Sequence, residues 1–220
     1  MRSLSDVRDV PCACPRDRAA DADRALLAHL LGFVMPAARA IRLAETLIAE
    51  RGSYPRVLTS APSLLIKLGV PPKGLDILAT VAQSLERALF RELTHGNVVA
   101  GWQALYDYLH VSLGHSRREH FRVLFLNSRN ALITDEEMGV GTVNQAPVYV
   151  REVIHRALDV GATALILIHN HPSGDPTPSR DDIQLTNHVR DAARVLGLQL
   201  HDHVVVSESG IKSFKTLGLL

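Results

Sequence analysis

Cysteine is nearly missing from this 220-residue chain: Cys12 and Cys14 lie two apart in the segment Pro11-Cys-Ala-Cys-Pro15, and there are no others. With no second pair, neither a four-cysteine zinc site nor a disulfide framework can form, and the two read as surface thiols. Net charge is missing as well. The 24 basic and 23 acidic residues leave +1, so no global field draws the chain to nucleic acid or anionic lipid. Long apolar runs are also absent: the longest uncharged apolar stretch, Val160 to Ile168, is about half of the ~20 residues a membrane span needs. Charged residues are scattered from Arg2 to Arg24, where a secretory signal would need an apolar segment. The expectation is a soluble, cytoplasmic protein without a membrane partner. Low-complexity tracts are lacking too, and 46% hydrophobic with 21% charged residues is ordinary globular usage. The length suits one domain or a pair of small ones.

What the chain does have is histidine, concentrated in one part. Nine of the eleven histidines, all but His29 and His95, lie beyond Gly96. Side chains that titrate or bind metal near neutral pH therefore collect in the C-terminal part, where any chemistry is expected.

Hydrophobic spacing divides the chain in two. Residues 1–22 are polar and contain proline, as in a frayed tail. From Asp23, helical spacing of Leu26, Leu27, Leu30 and Leu31 runs to Gly32, and a second helix opens at Pro36 and closes at Gly52. Pro62 to Leu68 forms a third unit, and Leu75 to Leu93 a longer helix, so residues 23–95 read as a small helical module. Thr94 to Gly101 reads as the linker. Trp102 to Leu109 adds one more helix, after which strands and helices alternate. His120 to Leu126 is an apolar strand with Asn127 to Asn130 as its turn and Ala131 to Thr134 as its hairpin partner. Val148 to Val160 is a helix capped by Gly161, Ala164 to Ile168 a buried strand, Arg180 to Leu196 a helix and Leu200 to Val206 a strand, with a last hairpin turning at Ser207 to Gly210. The second half is a mixed α/β domain.

The strand Ala164 to Ile168 runs into His169-Asn-His171, then a Pro/Gly loop, then Ser179-Arg-Asp-Asp182 at the next helix start. On an extended chain His169 and His171 point to the same side. Two histidines and one carboxylate suffice for a catalytic zinc that keeps a fourth position for water. Asp182 has a second explanation: Ser179 is a natural N-cap and Asp182 sits at N3, a variant capping box that needs no metal. The two roles are compatible. Asp182 also shares the buried stripe of Leu185, Val189, Ala192, Ala193 and Leu196, where an acid needs a partner, whereas Asp181 fits a solvated cap.

The stretch HNHPSGDPTPSRDD resembles the JAB/MPN metalloprotease signature, His-x-His-x(7)-Ser-x(2)-Asp, and most resembles the RadC family. GTVNQAPVYVREVIHRAL upstream and LHDHVVV downstream add to the match, which spans residues 98–220. The resemblance implies a JAB/MPN fold, a mixed sheet flanked by helices as in cytidine deaminases. It implies one zinc ion per chain held by His169, His171 and Asp182, with Ser179 beside the attacking water or the developing oxyanion. Proteases of this kind use an upstream glutamate as general base. The candidates are Glu136, five residues before Gly141, and Glu137, and the bland alternative for both is a solvated acidic turn at 135–137. Asp202 and His203 match the family's Asp-His pair and are expected to support the ligands or meet the substrate. Arg151 and Glu152 also match, but a surface pair at a helix start explains them.

Residues 23–95 stand where RadC proteins carry a helix-hairpin-helix, whose Gly-x-Gly amides contact the DNA backbone. Here the loop is Leu68-Gly-Val-Pro-Pro-Lys73, with Pro71 in place of the second glycine. Proline has no N–H to offer a phosphate, so the hairpin is degenerate and DNA is weakly supported as a partner. The expected function is zinc-dependent hydrolysis of peptide or isopeptide bonds in a protein or peptide substrate. The alternative is a DNA-repair or recombination-associated binding factor with a structural or vestigial metal site. A zinc nucleobase deaminase would need His-x-Glu and a later Pro-Cys-x-x-Cys, and neither occurs.

Overall fold

A computed structural model describes residues 15–94, 96–114, 116–141 and 148–220. The expectations placed on Cys12, Cys14 and residues 142–147 lie outside these. The chain divides into two compact units, Met1–Thr80 and Val81–Leu220.

The first unit is helical. α1 (Pro15–Gly32) begins earlier than the expected Asp23, so residues 15–22 are helical rather than a frayed tail. It pairs with α2 (Ala37–Arg51), whose buried stripe is Ala40, Leu43, Ala44, Leu47 and Ile48. Gly52, at φ +85°, ends α2 in the left-handed conformation that glycine adopts freely. α3 (Tyr54–Leu58), a single short turn with no periodicity to betray it, is joined to α1 by the backbone N–H of Tyr54 donating to Asp23 Oδ2 at 3.0 Å. α4 (Pro62–Lys67) is followed by Gly69 at φ +99°, and Pro72 opens α5 (Pro72–Thr94). The division between units falls within α5. Its last turns belong to the second unit, where Leu93 is buried in the core.

The second unit is a five-stranded mixed sheet in the order β2-β1-β3-β4-β5. Its strands are β1 (His120–Leu126), β2 (Leu132–Val140), β3 (Ala164–Asn170), β4 (Gln199–Ser207) and β5 (Gly210–Ser213). β3 is parallel to β4 and antiparallel to β1, and every residue of β3 is buried. Burial on both faces explains why its sequence is continuously apolar rather than alternating. One face packs Leu124, Leu126, Ile166, Ile168, Val204 and Val206 against α6 (Trp102–Leu113) and Leu93 of α5. The other packs Phe121, Val123, Phe125, Leu165 and Leu167 against α7 (Val150–Asp159) and α8 (Arg180–Val195). No described helix is long and apolar enough to cross a membrane.

β2 departs from the sequence expectation: it continues to Val140 instead of stopping at Thr134. Asp135, Glu136 and Glu137 are therefore strand residues opposite Leu124, Val123 and Arg122, and no acidic turn exists there. Cross-strand charge pairing makes this tolerable. Asp135 meets Arg122 through two bonds of 3.0 and 2.6 Å, with the Tyr108 hydroxyl donating to it at 2.8 Å.

A second irregularity matters more for function. In the β3/β4 ladder Leu165 pairs with Leu200 but Ile166 pairs with Asp202, so His201 is an extra, bulged residue. The bulge reverses the alternation. Leu200 faces α8, and after His201 it is His203, not Asp202, that faces the same way.

Candidate metal centre

β3 ends under the N-terminus of α8, and three side chains converge there. His169 comes from the last turn of the pleat in β3. The backbone of His171 continues the parallel ladder through its N–H to the Val206 carbonyl at 2.8 Å. Asp182 is at N3 of α8, whose N-cap Ser179 forms a complete capping box with it. The two His Nε2 atoms are 2.9 Å apart. His169 Nε2 lies 3.2 Å from Asp182 Oδ1, and His171 Nε2 lies 3.5 Å from Asp182 Oδ2. Among the described residues this is the one group of three His, Cys, Asp or Glu side chains close enough to share an ion.

The outer atom of each group is already committed, which fixes what the inner atom offers. His171 Nδ1 is 2.8 Å from the Asp175 carbonyl, an acceptor only, so Nδ1 carries the hydrogen and Nε2 presents a lone pair. Asp182 Oδ2 accepts from the Ser179 backbone N–H at 2.7 Å and its hydroxyl at 2.6 Å. Lone pairs and a carboxylate so arranged repel one another unless a cation, a proton or a metal ion, sits between them. The protonated case shows in the acid–base behaviour. A hydrogen bond to Asp182 raises the His171 pKa above its ordinary value against the effect of burial. Burial pushes the Asp182 carboxyl up, but bonds from His169 and His171 outweigh it and hold it well below the carboxylate range. The metal case fits by size. Ligands 2.0–2.1 Å from a tetrahedral zinc are separated by about 3.3 Å, and His169 Nε2 lies close to that distance from both His171 Nε2 and Asp182 Oδ1, at 2.9 and 3.2 Å. The three residues fit a zinc ion with one position left for water.

His203 lies behind His169. Its Nε2 is 2.8 Å from His169 Nδ1, and its Nδ1 is 2.6 Å from the Thr186 hydroxyl. It is stacked on Phe214 at 4.6 Å between ring centroids and meets Phe121 edge-on at 5.8 Å. Complete burial lowers its pKa well below the ordinary value, and it is neutral. Asp202, its neighbour, faces the opposite side of the sheet. Its carboxylate accepts from the Ser213 hydroxyl and from the backbone N–H groups of Lys215 and His203. The structure thus brings His203 to the centre and places Asp202 in a clamp on the C-terminal segment.

Ser179 borders the centre with its hydroxyl engaged twice, donating to Asp182 Oδ2 and accepting from the Asp182 N–H at 3.2 Å. Glu136 is bound at both carboxylate oxygens by Arg156 of α7, at 2.7 and 2.8 Å, and this pairing lowers its pKa. Glu137 is 2.6 Å from His120. Arg151 and Glu152 form the expected exposed pair.

A different glutamate stands beside the centre. Glu119 precedes β1 by one residue, its carbonyl accepting from the Gly141 N–H at 2.8 Å, and its charge is among those that raise the His171 pKa. Alternation along β1 puts it on the face of Phe121, which pairs with His169 and stacks on its ring. Asn170 holds this segment. Its Oδ1 accepts from the His120 N–H at 2.8 Å and its Nδ2 donates to the Arg118 carbonyl at 3.0 Å, on either side of Glu119. Sequence reasoning missed Glu119, Asn170 and Thr186. The signal for Glu119 was its two-residue offset from Phe121, which becomes informative only once Phe121 is known to lie opposite His169.

A mixed α/β sheet with a histidine pair at a strand end and a carboxylate at the following helix N-terminus, able together to hold a metal ion, is the arrangement of a JAB-class domain. The chain belongs to the family of the RadC-like JAB domain, whose model matches residues 99–219. It is similar to a UPF0758 protein of Rhodobacter capsulatus, 44% identical over 199 residues that cover 90% of this chain and 93% of the relative. A UPF0758 protein of Ruegeria pomeroyi is also 44% identical, over 179 residues covering 81% and 80% of the two chains.

Proposed function

We propose that the chain is a zinc-dependent hydrolase that cleaves peptide or isopeptide bonds. The observation that supports this is the convergence of His169 Nε2, His171 Nε2 and Asp182 Oδ1, with His171 Nε2 left bare because His171 Nδ1 donates its hydrogen to the Asp175 carbonyl. One zinc ion held by these residues would lower the pKa of a water towards ~7 and polarise a carbonyl.

The remaining steps belong to the chain's own residues. Glu119 accepts a proton from the water as its oxygen attacks the carbonyl carbon. It delivers that proton to the amine nitrogen as the C–N bond breaks, leaving a carboxylate and a free amine. We assign this role to Glu119 in preference to Glu136, because a carboxylate gripped at both oxygens by Arg156 is a weakened base. Ser179 tethers the Asp182 carboxylate at Oδ2, and its hydroxyl can turn from Asp182 to an oxyanion as charge develops.

The test measures zinc by elemental mass spectrometry in the wild type, His171→Ala and Asp182→Asn, followed by hydrolysis of a peptide and an isopeptide library. About one zinc per chain in the wild type alone, with turnover that falls at least a hundredfold in Glu119→Gln and less than threefold in Glu136→Gln, supports the assignment. Loss of activity in Glu136→Gln with full activity in Glu119→Gln would return the role to Glu136. A wild type that holds no metal but binds DNA in a salt-dependent manner would overturn the hydrolase reading in favour of a binding factor.

A further inference from the structure

We infer that Thr186 and His203 form a hydrogen-bond relay that sets the tautomer of His169 and so makes its Nε2 a metal ligand. The inference rests on the metal-centre reading above and extends it to residues that touch no metal. The direction of every bond in the relay follows from its far end. The Thr186 hydroxyl lies 2.5 Å from the backbone carbonyl of Asp182, one turn back in α8. A carbonyl only accepts, so the threonine proton goes there. The same oxygen, 2.6 Å from His203 Nδ1, is left to accept, and Nδ1 carries a hydrogen. Neutral His203 then has a bare Nε2, which at 2.8 Å accepts from His169 Nδ1–H. With Nδ1 protonated, His169 presents a lone pair at Nε2 towards His171 and Asp182.

Alternatives at each joint are closed by burial. His169 is 1% exposed and His203 and Thr186 are fully buried, so no bulk solvent can substitute for a missing partner. Phe214 and Phe121 confine the His203 ring on one side each, which keeps it from turning over to exchange its nitrogens. The relay starts and finishes on the same residue: the Asp182 backbone accepts at its beginning and the Asp182 side chain meets His169 at its end. The helix that delivers the carboxylate thereby also dictates which nitrogen of His169 is bare. His171 obtains the same result more simply, from the Asp175 carbonyl. Thr186 is thus a positioning residue, four residues beyond the ligand Asp182 on one face of α8.

The experiment compares the wild type with Thr186→Val, which keeps the shape and removes the oxygen, and Thr186→Ser, which keeps the oxygen. Histidine 15N chemical shifts of the metal-free proteins report each tautomer directly, and competition with a chelator reports zinc affinity. The expected wild-type result is Nδ1–H at His169, His171 and His203. Thr186→Val should populate Nε2–H at His203 and at His169, and zinc affinity should fall about 10–100-fold, the usual effect of removing an outer partner of a histidine ligand. Thr186→Ser should restore both the shifts and the affinity. Wild-type shifts with Nε2–H at His169, or unchanged shifts in Thr186→Val, would overturn the relay even if zinc binds normally. Shifts as expected in a wild type that binds no zinc would uphold the relay and reject the zinc reading instead.

Discussion

Replacing Asp202 by alanine should cost a large share of the protein's stability while leaving the metal centre intact, although its neighbour His203 is part of that centre. Asp202 is 1% exposed. Its Oδ1 accepts from the backbone N–H of His203 at 2.8 Å and of Lys215 at 2.9 Å, and its Oδ2 from the Ser213 hydroxyl at 2.5 Å. Ser213 Oγ in turn accepts from the Thr216 N–H at 3.1 Å and the Thr216 hydroxyl at 3.2 Å. A hydrogen bond to a charged group contributes about 1.5–3 kcal/mol, and a stranded buried donor costs about 1–3 kcal/mol. Three such donors lose their acceptor in Asp202→Ala, and allowing for partial repair by water the total is about 3–6 kcal/mol, against a typical folding stability of about 5–15 kcal/mol. Asparagine keeps Oδ1 but presents an N–H to Ser213, whose oxygen is already occupied by Thr216, so Asp202→Asn should cost about 2–3 kcal/mol. Equilibrium unfolding in urea, with zinc supplied and with zinc chelated, measures both. The difference between wild type and variant should be equal in the two conditions. A loss below about 1 kcal/mol in Asp202→Ala, or a loss in zinc affinity beyond what unfolding explains, would refute the reasoning.

Three further outcomes follow from other contacts. Asn170→Ala removes the grip on both sides of Glu119 without touching a ligand, so turnover should fall at least tenfold while zinc content, by elemental analysis, stays at the wild-type level. Zinc affinity should fall with pH, because His171 must lose its proton before Nε2 can ligate. The bond to Asp182 raises the metal-free His171 pKa, so proton competition sets in above the ordinary value near 6.5, and chelator competition across pH 5–8 should show affinity dropping about tenfold per unit below that raised value. Asp135→Asn breaks a buried ion pair with Arg122 and leaves the guanidinium uncompensated, for a cost of about 3–5 kcal/mol in urea unfolding with the zinc centre unaffected.

The convergence of His169, His171 and Asp182 was legible because each residue carried a local signal. His169 and His171 are spaced for one face of a strand, and Ser179 and Asp182 are spaced for a helix N-terminus, so the motif and its two elements could be read from a few residues. β1, β3, β4, α7 and α8 were legible for the same reason, through continuous apolar runs or helical periodicity. What escaped was set by partners distant in the chain. Asp135-Glu136-Glu137 has the composition of a turn, and becomes a strand because Arg122, Arg156 and His120 each bond one of its carboxylates from two other elements. The facing of His203 was fixed by the bulge at His201, whose ring bonds to Asn130 at 2.7 Å, and counting two residues at a time from Leu200 would have turned His203 to the wrong side. Glu119 is one acid among many before a strand until the β1/β3 register sets Phe121 opposite His169.

The sequence offered two explanations for Asp182, a helix cap and a metal ligand, and the geometry shows why they need not compete. Oδ2 takes the Ser179 N–H and hydroxyl, while Oδ1 is turned to His169. A carboxylate tethered at one oxygen loses its rotational freedom before any cation arrives, so the entropy of ordering the ligand is met by the folding of α8 rather than by metal binding. The same holds on the other side, where the Asp175 carbonyl fixes His171. The centre is therefore expected to persist as a folded site when zinc is removed, unlike a small zinc finger whose ligands assemble only around the ion. Chelation should lower the thermal midpoint of the wild type by the binding free energy alone, with circular dichroism unchanged below the transition. Asp182→Asn, which retains a capping oxygen but weakens the ligand, should abolish the zinc-dependent part of that shift and leave most of the metal-free stability. If removing zinc instead unfolded α8, the cap would depend on the metal, and the independence of the two roles would fail.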